Sequence, residues 1–136
     1  MNEDAVFDEI TRLSAQGNEL MDQEKYAEAR EIFLKALKLE PEHWSETACW
    51  LDAAIGDSYY QEEKYEDSLK YFQDAYYAIG GKMNPYVLFM NGMCYYKLGN
   101  KEEAGSYLAN TYALDGDALF EDEDPECLEL ARTYGS

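Results

Sequence analysis

Enzymatic chemistry needs a nucleophile beside a base, a set of metal ligands or a phosphate cradle, and these 136 residues hold few parts for any of them. His43 is the single histidine, set between Pro41 and Trp44 in a stretch of loop composition, which suits surface packing better than proton transfer. Cys49, Cys94 and Cys127 are widely spaced, and each lies within an apolar helical pattern. Neither a disulfide framework nor a C-x-x-C metal site is indicated, and a reducing compartment fits. The acidic run over residues 115–126 has the charge of a calcium loop, but Leu119 and Phe120 fall where such a loop needs a ligand and its glycine. It reads as a solvated connection. No glycine-rich phosphate loop follows a strand, because no stretch reads convincingly as a strand. The expectation is a non-enzyme without cofactor or metal. What remains is aromatic: 13 tyrosines, 5 phenylalanines and 2 tryptophans, side chains that supply contact area at low entropic cost.

Charge narrows the partner class. The formal net charge is −18, from 29 acidic against 11 basic residues, which disfavours nucleic acid and anionic membrane surfaces and favours basic partners, with solubility as the plainer reason for an acidic surface. The 46% hydrophobic content is enough to offset the chain entropy lost on folding, so the chain is not a disordered acidic tail. The first residues carry no basic start and no apolar run, so no secretory signal is expected, and no stretch approaches a membrane-spanning length. A cytoplasmic location follows as the expectation.

The elements that must position the aromatics come from internal repetition. Taking Gly17, Gly56 and Gly92 as anchors, a small residue recurs twelve positions on (Ala29, Ser68, Ala104) and a large apolar one sixteen on (Phe33, Phe72, Leu108). Three helix pairs with constant internal spacing are what a helical solenoid requires, since one pair cannot bury its own apolar face. The repeats are expected over residues 3–41, 45–80 and 84–116 of a single domain spanning 1–136. Pro41, Gly80-Gly81 and Gly116 stop the second helices, and Ser45 and Asn84-Pro85 open the next pairs. The anchors are 39 apart between the first two copies and 36 between the last two, which places an insertion in the loop around Glu42 and Ser45. Residues 125–134 predict a short capping helix with Cys127, Leu130, Ala131 and Tyr134 on one face.

These residues resemble tetratricopeptide repeats. Copy one carries Leu13, Gly17, Tyr26, Ala29, Phe33, Ala36 and Pro41 in the family's pattern, and copy two keeps Gly56, Tyr59, Tyr65, Phe72 and Ala75. Copy three keeps Gly92, Tyr95 and Ala104 but has Leu108 and Thr111 in place of phenylalanine and alanine. The resemblance implies an all-α, right-handed α-solenoid of three helix pairs plus the capping helix, similar to small stand-alone bacterial proteins of this type. It also implies a concave face, lined by the first helix of each pair, that holds a peptide or partner segment.

Steps of three, four and three positions put Thr11, Ser14, Asn18 and Met21 on that face, then Trp50, Ala53, Asp57 and Tyr60, then Tyr86, Phe89, Met93 and Tyr96, with Asp22 and Gln61 at its edge. Family members that bind acidic chaperone tails use a clamp of lysines, an arginine and asparagines on these faces. Here only Asn18 survives, while Ser14, Ala54, Tyr86 and Met90 fill the other places, so that ligand class is rejected. The expectation is a protein-interaction module taking an apolar or basic-amphipathic segment on Trp50, Tyr60, Tyr86, Phe89, Met93 and Tyr96. Asp57 and Asp22 attract a basic side chain, and Asn18 and Met21 complete the contacts. Two alternatives stand beside it: an acidic inhibitor or immunity-type protein that binds a basic toxin or nuclease, and a chaperone for a secreted hydrophobic protein. The same aromatics could instead pack between repeats, be covered by the chain itself, or pair two copies as a homodimer.

Overall fold

The computed structural model describes residues 2–135, and its seven α-helices run in chain order as α1 (Glu3–Asp22), α2 (Tyr26–Leu39), α3 (Glu46–Gln61), α4 (Tyr65–Tyr77), α5 (Pro85–Lys97), α6 (Lys101–Asp115) and α7 (Pro125–Tyr134). Short 3-10 turns occupy Gly81–Met83 and Ala118–Phe120. Helix starts follow the local chemistry. The side chains of Asn2, Ser45, Asn100 and Asp124 each accept a backbone N–H of the first turn, and Asn84 accepts two, from Tyr86 and Val87, ahead of Pro85 at the first helical position. Each pair turns through a left-handed residue seven past its anchor glycine, Glu24 (φ 60°), Glu63 (φ 60°) and Gly99 (φ 86°). Glycine makes this bend without strain, whereas the two glutamates do not.

The repeat marker has a packing cause. A Cβ on Gly17 would lie 2.5 Å from Phe33 Cε1, one on Gly56 2.6 Å from Phe72 Cε2, and one on Gly92 2.7 Å from Leu108 Cδ2. Only glycine lets the second helix set its large side chain against the first helix's backbone, so the spacing of sixteen is the footprint of one contact made three times. Phe33, Phe72 and Leu108 are fully buried, each stabilising the fold by about 1.5–3 kcal/mol through burial.

The helix pairs stack in sequence as an α-solenoid whose interior is built from successive apolar clusters. Ile10, Leu13, Ala29, Phe33, Leu51 and Ile55 form the first part of the core. Phe72, Met90, Cys94, Leu108, Cys127 and Ala131 carry it into the third repeat and the terminal helix, whose Tyr134 ring lies against Gly105 of α6. Polar ties cross the same interfaces. Buried Arg30 of α2 ion-pairs Glu62 at 2.7 Å, donates to Ser58 Oγ at 3.1 Å and lies 3.9 Å from the Tyr59 ring centroid. Buried Asn91 donates to the carbonyls of Phe72 and Val87 and accepts from Gln73 Nε2 at 2.6 Å.

One boundary departs from expectation. The sequence predicts a helix from Glu66 to Ile79, stopped by Gly80-Gly81, but the helix ends at Tyr77, because Ala78 turns extended and the Ile79 amide donates to Trp44 O at 2.7 Å. The lengthened α2–α3 loop thus takes over a hydrogen bond that would otherwise continue the helix. Among the described residues no helix is long and apolar enough to cross a membrane.

Candidate functional site

The first helices α1, α3 and α5 present the expected face, and it divides into an open part and a covered part. Asn18, Met21 and Asp22 from α1 and Asp57 from α3 meet around a recess of about 200 Å³ whose floor is Phe33 and Ala54. Four residues placed there by helical spacing thus share one depression. Asp57 is its polar centre. Its Oδ1 accepts the Tyr86 hydroxyl at 2.5 Å, which ties α3 to α5 across the face. Burial pushes the Asp57 carboxyl up to about 6, against which the Tyr86 hydrogen bond works downward. Burial, with the Asp57 charge and hydrogen bond, pushes the Tyr86 hydroxyl well above its ordinary value, so it stays a donor. The Tyr86 ring packs edge-on to Phe72, with centroids 6.2 Å apart, yet 39% of the residue is exposed. Trp50, two helical turns before Asp57, is 42% exposed.

The covered part corrects the expectation for the third repeat. Phe89 and Met93 are buried, at 3% and 1% exposure, and cannot meet a partner as an open surface. The cause is the connection between α6 and α7. Phe120 turns inward and sets its ring edge-on to Phe89, 5.2 Å between centroids, and is itself buried. Tyr96 holds this connection down: its hydroxyl lies 2.9 Å from both Asp124 Oδ2 and Glu126 Oε1, and Lys101 Nζ ion-pairs Glu126 at 2.7 Å. The stretch read as a solvated linker therefore caps the end of the face. Tyr60 sits at the border, half-buried, its ring edge-on to Tyr65 at 5.2 Å; burial first and then the Glu123 charge raise its hydroxyl pKa. The signal available in the sequence was Leu119-Phe120, an apolar pair inside an acidic run.

The remaining tyrosines serve the solenoid more than the face. All 13 are half-buried or exposed, as their number suggests, but Tyr59 stacks on Tyr71, Tyr95 stacks on Tyr107, and Tyr76 meets Tyr77 and Tyr107 edge-on, at centroid distances of 5.0–5.8 Å. The two stacks join the helices of one pair, α3 to α4 and α5 to α6, and the Tyr76–Tyr107 contact joins the second helices of neighbouring repeats. Burial raises the pKa of all three cysteine thiols, to about 11 for Cys94 and Cys127, which makes them poor nucleophiles at neutral pH.

The acidic-tail clamp finds no cation here. Ser14 is buried and donates to Ile10 O, Met90 is buried, Ala54 floors the recess and Tyr86 is committed to Asp57. An incoming carboxylate would face Asp22 and Asp57, a like-charge encounter.

Comparison with known proteins now has a geometry to be set against. A family model described as "Tetratricopeptide repeat" matches residues 11–43, and a second with the same description matches residues 53–119. Among solved structures, the type III secretion chaperone SycD of Yersinia enterocolitica, in complex with a peptide of the translocator YopD, superposes with a TM-score of 0.74 at 16% identity, over 93% of this chain and 92% of that one. PcrH from Pseudomonas aeruginosa superposes with a TM-score of 0.69 at 20% identity, over 99% of this chain and 89% of that one. The first repeat domain of Spaghetti (RPAP3), bound to the HSP90 peptide SRMEEVD, gives 0.73 at 18% identity, over 93% and 90%. No curated protein matches the sequence significantly.

Proposed function

Because the chain belongs to the tetratricopeptide repeat family, we propose that it is a protein-interaction module that takes a short peptide segment into the open half of its concave face. Asp57 and Asp22 receive a basic side chain of that segment, and Met21, Trp50, Tyr60 and Tyr86 receive its apolar neighbours. The observation that carries this reading is the recess of about 200 Å³, where two carboxylates, an asparagine and a methionine converge on an apolar floor. Binding there requires no catalytic group. Among the described residues Asp57 has a tyrosine hydroxyl as partner but no cation, so a lysine or arginine would add a charge-assisted bond in a sheltered place.

Related folds are recorded with two kinds of segment, the SRMEEVD tail of HSP90 and translocator regions such as that of YopD. The first kind brings carboxylates to a face that already carries two. The likeness to secretion chaperones favours a second reading, in which the same face shields an apolar segment of a secreted partner.

The test uses an amphipathic probe, acetyl-Leu-Lys-Leu-Leu-Lys-Leu-amide, and its glutamate counterpart, titrated by fluorescence anisotropy. Preference for the lysine peptide, with at least a tenfold loss in Asp57→Asn, supports the proposal; tenfold corresponds to about 1.4 kcal/mol. Equal binding of both peptides, or indifference to Asp57→Asn and Asp22→Asn together, overturns it. Truncating Phe89 or Met93 is no test of contact, since both belong to the core.

A further inference from the structure

The insertion that lengthens the α2–α3 loop builds a second recess, on residues that take no part in the concave face. The loop crosses toward the end of α4, where Trp44 O accepts the Ile79 amide at 2.7 Å and so holds His43 and Trp44 over α3 and α4. Beneath it lies a cleft of about 360 Å³. That volume is at the lower end of the range for small-ligand pockets, roughly 300–1,000 Å³. Leu37, Trp44 and Tyr71 form its apolar walls, Asp52 and Asp74 supply two carboxylates, and His43 and Lys70 complete the lining.

Asp52 is the group the fold does not explain. It is only 4% exposed, yet its carboxylate lines the cleft with no hydrogen-bond or ion-pair partner among the described residues. A carboxylate whose one opening is the cleft is costly to ionise unless something in the cleft meets its charge, and Asp74 on the facing helix adds like charge instead of relieving it. Lys70, the one cation in the lining, does not complete the site. It is exposed, its Nζ lies 5.9 Å from the Tyr71 ring centroid, and it forms no ion pair with either carboxylate; its charge draws the Asp74 carboxyl down against the effect of burial but is no cause of the Asp52 shift. The residues do not make a metal site, since no group of three or more His, Cys, Asp or Glu among the described residues is arranged to hold an ion.

We propose that this cleft binds an organic cation, an alkylammonium or guanidinium head with a short aliphatic stem, its charge placed between Asp52 and Asp74 and its stem against Leu37 and Trp44. Two carboxylates complement one such head, which carries several donors and spreads its charge more widely than a metal ion. The indole of Trp44, 54% exposed, and the half-buried Tyr71 ring offer the aromatic surface over which such cations gain further attraction. Burial, then the Asp74 charge, hold the Asp52 carboxyl at about 7, so the empty cleft takes up a proton near neutrality and a bound cation displaces it. Lys70 and His43 line the same space. The head is the shared chemistry of a free amine and of a lysine or arginine side chain on another protein.

The experiment follows the two tryptophan indole signals by nitrogen-proton NMR, with Trp50→Phe used to assign that of Trp44. Probes are n-butylamine, 1-butanol as its neutral counterpart, and acetyl-Gly-Gly-Arg-Gly-Gly-amide. The proposal requires saturable shifts of the Trp44 signal with butylamine and the peptide, none with butanol, and weaker binding at pH 5.5 than at pH 8. Asp52→Asn should weaken binding at least tenfold, Asp74→Asn should weaken it less, and Lys70→Ala should tighten it by removing a competing charge. Tighter binding of the peptide than of butylamine identifies a partner protein as the source; equal binding identifies a free amine. Asp57→Asn, in the concave face, should leave all of this unchanged, so the two sites succeed or fail separately. Equal shifts with butanol, or butylamine binding that survives both Asp52→Asn and Asp74→Asn in proteins with native circular dichroism, overturn the proposal.

Discussion

Replacing Asp52 by asparagine keeps the side chain's shape and removes its charge, and the consequence for stability has a definite sign. The residue is 4% exposed, and burial, with the Asp74 charge second, raises its carboxyl pKa from 3.8 to about 7 in the folded protein. A carboxyl whose folded pKa is raised holds its proton longer in the folded state than in the unfolded one. Its contribution is therefore intact below pH 4 and is lost as the pH climbs through 7. With each unit worth about 1.36 kcal/mol, ionised Asp52 costs the fold on the order of 4 kcal/mol at pH 8. Urea unfolding of wild type and Asp52→Asn at half-unit steps from pH 4 to 8.5 isolates this group together with its coupling to Asp74, because titrations remote from the cleft are common to both proteins. The difference should be small at pH 4 and grow in favour of the variant, reaching several kcal/mol by pH 8. A difference flat with pH, or a variant less stable at pH 8, would refute the reasoning and show that Asp52 finds a partner in solution.

Other consequences follow from the packing. Gly17→Ala drives a methyl into the Phe33 ring, costing about 1–3 kcal/mol in chemical denaturation, and pairing it with Phe33→Leu should recover part of the loss. Glu63→Gly relieves a left-handed residue at φ 60° and should stabilise by about 0.5–1 kcal/mol, net of the added unfolded-state entropy. Phe120→Ala uncovers Phe89 and should cost about 3 kcal/mol while increasing binding of a hydrophobic dye to the still-helical protein. Tyr86→Phe removes the hydrogen bond that lowers the Asp57 pKa, so the carbon-13 titration of that carboxyl should move above 6.

How much of this was legible differs from element to element. Helix faces were, because burial on a helix recurs with the helical period and leaves a record in residue type; once the resemblance had named the concave face, that period placed Asn18, Met21 and Asp57 on it and Asp22 at its edge, and all four line one recess. The depth of a residue beneath another element was not. Phe89 and Met93 sat on the right face, yet nothing periodic announced that both would be buried or that Phe120 would lie against Phe89. Arg30 escaped for a related reason: its charge suggests the surface, while its methylene stem and guanidinium are buried only because Tyr59, Ser58 and Glu62 of the next repeat receive them.

The sequence by itself determined the architecture. Glycine paired with a large apolar residue sixteen positions later, in three copies, can be satisfied only by three hairpins of helices whose backbones approach closely at those glycines. The caps at Ser45, Asn84 and Asp124 and the stop at Pro41 are decided equally locally. Tertiary structure alone decided which parts of the surface remain open. A loop has no period, so its course depends on the packed surface it lands on. Two loops decide it here: residues 117–124 close the third repeat's share of the concave face, and the His43–Trp44 insertion roofs the cleft in which Asp52 lies without a partner among the described residues.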